Sequence, residues 1–72
     1  MDDLFENDES QWMSREDAAA RLHAIADMLA RNNQIELEKD GRRITVAVPD
    51  RVELKVELEV GSDNELEIEI RW

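Results

Sequence analysis

The chain has 72 residues, 19 of them acidic against nine basic, for a formal net charge of −10. That length holds one small domain, 1–72, and excludes a multidomain enzyme with a buried cleft. There is no Cys, which removes disulfides, thiolate zinc sites and cysteine nucleophiles.

Hydrophobic residues make up 42% of the chain, too many for a disordered acidic tail, so a folded core is expected. No apolar run approaches the ~20 residues that span a bilayer. The start, Met1-Asp2-Asp3-Leu4-Phe5-Glu6, is acidic rather than the basic lead of a signal peptide. These features predict a cytoplasmic protein with no membrane partner. The acidic excess argues against nucleic acid, because neutralising phosphates needs a Lys/Arg surface. Abundant carboxylates with few lysines also fit a salt-rich cytoplasm, although a merely soluble surface reads the same way.

Residues 1–12 carry scattered apolar positions. Leu4 and Phe5 could open an edge strand over 3–11, although Asn7-Asp8-Glu9-Ser10 suits a strand poorly. A helix is expected over about 14–32. Ser14 can cap its first turn, where Glu16 and Asp17 complement the helix dipole. Ala18, Leu22, Ile25 and Leu29 fall on one helical face, and Asn32-Asn33 ends the run with a residue tolerant of the left-handed conformation.

The period then changes from 3.6 to 2. Ile35 and Leu37 alternate with Glu36 and Glu38 up to Asp40-Gly41, a two-residue hairpin signal. Closing there pairs Leu37 with Ile44, Ile35 with Val46 and Glu38 with Arg43, so each face is internally consistent. Pro49-Asp50-Arg51 would turn the chain again, setting Val48 opposite Val52, Val46 against Leu54, Ile44 against Val56 and Arg43 against Glu57. The alternating segments 52–60 and 65–72 form the last hairpin. A turn at Ser62-Asp63-Asn64, with Asn64 left-handed, pairs Val60 with Leu66 but sets Glu59 opposite Glu67 and Glu57 opposite Glu69. Shifting by two residues pairs Lys55 with Glu69 and Glu53 with Arg71. Turn chemistry favours the first register, charge the second; the first is the expectation, since solvent and salt screen exposed carboxylates.

The fold class expected is therefore α+β: two layers, one helix packed on a four-strand antiparallel meander. Four or five strands span roughly 19–24 Å at ~4.8 Å each, whereas a helix covers about 10–12 Å. The helix cannot cover the apolar face, so the expectation is a homodimer that completes the core.

The strands Val52–Val60 and Glu65–Trp72, closed by a terminal Trp, resemble the amphi-Trp domain. The Leu4-Phe5-Glu6 start, the Ser14-Arg15-Glu16 helix opening and Val48-Pro49-Asp50 are similar to it as well. The resemblance implies a small prokaryotic, often haloarchaeal, salt-tolerant protein of the cytoplasm, and it carries no catalytic assignment.

No catalytic, cofactor or metal site is expected. His23 is the only His and lacks converging partners, so a helix-surface role is favoured. Ser10, Ser14 and Ser62 sit in cap or turn contexts, and the carboxylate spacing fits no calcium loop. Glu53, Glu57, Glu59, Glu65, Glu67 and Glu69 form a candidate acidic interaction face, with a basic protein as the partner it would suit. Trp12, Trp72, Ile68 and Ile70 are candidate core or self-association anchors. The reading is a small acidic, non-enzymatic interaction module that forms a homodimer. The alternative is a small ligand-binding protein or enzyme with a pocket between helix and sheet near His23 and Trp72.

Overall fold

The computed structural model describes residues 10–72. One helix precedes four antiparallel strands: α1 (Arg15–Asn32), β1 (Gln34–Lys39), β2 (Arg42–Ala47), β3 (Glu53–Glu59) and β4 (Glu65–Arg71). The class is α+β, as expected. The expected edge strand over 3–11 falls mostly outside the described residues, and residues 10–14 are irregular.

Local chemistry fixes both ends of α1. Ser14 is extended, and its Oγ accepts the Asp17 N–H at 3.0 Å while its carbonyl accepts the Ala18 N–H at 3.0 Å. The first turn thus satisfies donors that have no partner inside the helix. Glu16 and Asp17 lie in the first turn and Arg31 in the last, matching the dipole at each end. Asn33 takes φ 54° and ψ 34° and turns the chain into β1.

The first hairpin keeps the expected register: Leu37 opposite Ile44, Ile35 opposite Val46 and Glu38 opposite Arg43. Asp40 and Gly41 have φ of 53° and 76°, the pair of positive values a type I′ turn requires. α1 rests on β1, and there the Glu36 N–H donates to Met28 Sδ at 3.5 Å.

Two expectations are corrected. First, the four strands do not form one sheet: β1 pairs β2 and β3 pairs β4 in separate two-stranded sheets. Val48–Val52, Val46–Leu54, Ile44–Val56 and Arg43–Glu57 are not paired. No Cα of β3 or β4 comes within 8 Å of the other elements. The physical reason lies in the linker. The Val48 N–H donates to the Asn33 carbonyl at 2.9 Å, towards β1, and Pro49 has no N–H to offer a new ladder. Arg43, meanwhile, is engaged by Glu36 and Glu38 within its own hairpin, at 3.2 and 3.4 Å.

Second, the last hairpin adopts the shifted register, with Glu53 opposite Arg71, Lys55 opposite Glu69 and Leu58 opposite Leu66. The loop lengthens to residues 60–64. Asn64 is not among the residues with positive φ; its Oδ1 instead accepts the Gly61 N–H at 3.3 Å. Arg71 then forms an ion pair with Glu53. The opposite charges, together with the Asn64 side chain, outweigh the shorter turn.

Candidate interaction surface

Strand alternation sorts the second hairpin by chemistry. Glu53, Lys55, Glu57 and Glu59 face Glu65, Glu67, Glu69 and Arg71 across the pair, and Leu54, Val56 and Leu58 face Leu66, Ile68 and Ile70. All six acidic candidates therefore share one side of one hairpin. Basic residues gather at its open end, where Arg71 pairs with Glu53 and lies 3.9 Å from Glu69. Lys55 Nζ is 3.3 Å from Glu57. Towards the loop, Glu57–Glu67 and Glu59–Glu65 stand as like-charge pairs. Among the described residues no group of His, Asp or Glu is arranged to hold a metal ion.

The apolar side is open. No described residue is buried. On this hairpin Ile70 is half-buried, and the other apolar side chains are exposed, from 46% at Ile68 to 79% at Val60, whereas Leu37 and Val46 of the first hairpin are 37% and 42% exposed. Coverage thus falls with distance from the helix. Leu22, Ile25 and Leu29 of α1, Ile35 and Leu37 of β1, and Ile68, Ile70 and Trp72 border a cleft of about 260 Å³. The lining is aliphatic apart from Trp72, whose indole N–H is its one side-chain hydrogen-bonding group, so the cleft lacks the several convergent polar groups of a typical ligand site.

The tryptophans separate. Trp72 borders the cleft beside Ile68 and Ile70, while Trp12 is 99% exposed. His23 lies on another side of the helix, with Ala19, Leu22 and Ala26, so the structure does not bring His23 and Trp72 together. Ser14 serves as the helix cap; Ser10 and Ser62 lie outside the helix and strands.

Leu54, Val56, Leu58 and Leu66 were expected on the apolar side but not among the anchors, yet they make most of the open apolar face. The signal was present in the unbroken alternation of two strands that the single helix cannot reach. Met28 was also missed, because it lies beside the Leu22–Ile25–Leu29 face rather than on it.

The arrangement is one of amphipathic strands, charged on one side and aliphatic on the other, ending at Trp72. The Amphi-Trp domain family model matches residues 1–72, the whole chain. The chain belongs to the Amphi-Trp domain family. No curated protein and no solved structure matches it. In this Amphi-Trp domain, no helix among the described residues is long and apolar enough to cross a membrane.

Proposed function

We propose that this Amphi-Trp domain is a small, non-enzymatic interaction module of the cytoplasm that works as a homodimer. The observation that carries the reading is the absence of any buried residue among those described. A chain of 8.4 kDa folded as a compact monomer exposes about 4,600 Å², whereas this chain exposes 7062 Å². Its radius of gyration is 14.0 Å, against about 11 Å for a compact domain of this length. A second subunit supplies the missing burial without requiring a larger chain. The acidic side of β3–β4 stays in water and is the surface for a basic protein partner. With a largely apolar cleft and His23 outside it, the described residues offer no converging set of polar groups around that cleft to recommend catalysis.

Size-exclusion chromatography with light scattering tests the reading. The expected result is twice the chain mass at micromolar concentration, in buffer containing molar KCl. A single-chain mass across the accessible concentration range would overturn it.

A further inference from the structure

Building on the homodimer reading, we infer which surface the second copy covers: the apolar face of the β3–β4 hairpin packs against the same face of its partner about a twofold axis.

Three observations favour this face. It is where coverage fails most. Leu54, Val56, Leu58, Leu66 and Trp72 are all 57–68% exposed, and Ile68 is 46% exposed. Together these six expose on the order of 650 Å², close to the ~800 Å² that each partner contributes to a standard specific interface. The face is also self-complementary in chemistry, being aliphatic with one aromatic at its rim, as an isologous contact requires. Finally, packing apolar sides together turns the glutamate sides of both hairpins outward. Two chains of charge −10 then keep their densest carboxylates far apart.

Other occupants fit less well. Residues 1–9 offer only Met1, Leu4 and Phe5 as apolar side chains, too few for this area. A basic partner is drawn to the other side of the hairpin. Exchange of strands between chains, with β3 of one copy on the edge of β2 of the other that no described strand pairs, adds backbone hydrogen bonds. It lengthens the sheet, however, and leaves an apolar face still to cover.

The test uses the full chain in two arms. In the first, isotope-filtered NMR on an equimolar mixture of ¹³C-labelled and unlabelled chain reports contacts between copies alone. Methyl groups of Val56, Leu58 and Ile68 are expected to contact one another across the two chains. In the second, Val56→Lys is compared with Glu57→Lys, its neighbour on the acidic side. A lysine buried without a partner is strongly penalised, so Val56→Lys should raise the dimer Kd by about 100-fold or more, and Glu57→Lys should leave it unchanged or lower it. If Val56→Lys fails to fold, the NMR arm still decides. A dimer whose interchain contacts run between Val46 and Leu54 would overturn the face-to-face packing, show strand exchange instead and leave the homodimer reading intact. A monomer at every concentration would overturn both.

Discussion

Three non-terminal positions do disproportionate work. Ser14 closes the first turn of α1 through its hydroxyl, and Asn33 and Asp40 adopt positive φ where the chain must reverse. Each effect is local, and each was legible from residue type and neighbours alone. Ser14→Ala is expected to remove about 1 kcal/mol of stability, measured by urea unfolding at fixed protein concentration so that association does not enter the comparison. Met28 marks the other limit. Its sulfur meets the Glu36 N–H because β1 passes close to the helix flank, and no periodicity in the helix announces where a strand will pass.

The two hairpins show when register can be read at the level of elements. Asp40-Gly41 admits one tight closure, so β1–β2 was determined by its turn. Gly61-Ser62-Asp63-Asn64 admits more than one, and cross-strand charge then decides. Arg71 opposite Glu53 and Lys55 opposite Glu69 outweigh the two Glu–Glu pairs that remain towards the loop. The Arg71→Glu variant discriminates between the alternatives. In the observed register it sets two glutamates opposite each other and should lower stability by ~0.2–1 kcal/mol. In the register closed on Ser62-Asp63-Asn64 the new glutamate would face Lys55, and the midpoint of thermal unfolding would rise. The pairing of β2 with β3 was not legible, because alternation is equally satisfied by a continuous sheet and by two hairpins. The direction of the Val48 N–H, which separates those cases, leaves no trace in the hydropathy pattern.

For the whole molecule, the width argument supposed one four-strand sheet, and the two hairpins form separate sheets instead. The apolar face lies open because the hairpins part and the helix rests on β1, which element widths do not reveal. Association must also overcome charge, with each chain at −10. Raising KCl from about 0.1 M to 1 M shortens the Debye length from ~10 Å to ~3 Å, so the proposed dimer should tighten and its unfolding midpoint rise. Light scattering and thermal melts across that range check both, and indifference to salt would remove the halophilic reading. The like-charge pairs near the last loop bear on a different hazard. Among the described residues, the two-stranded sheets leave an open edge on every strand, an invitation to endless addition of further chains. Copies of β4 stacked in register would place Glu65, Glu67 and Glu69 each above its own kind every ~4.8 Å. The carboxylates that strain a single hairpin tip therefore oppose growth of a filament, while leaving a closed pair of chains free to form.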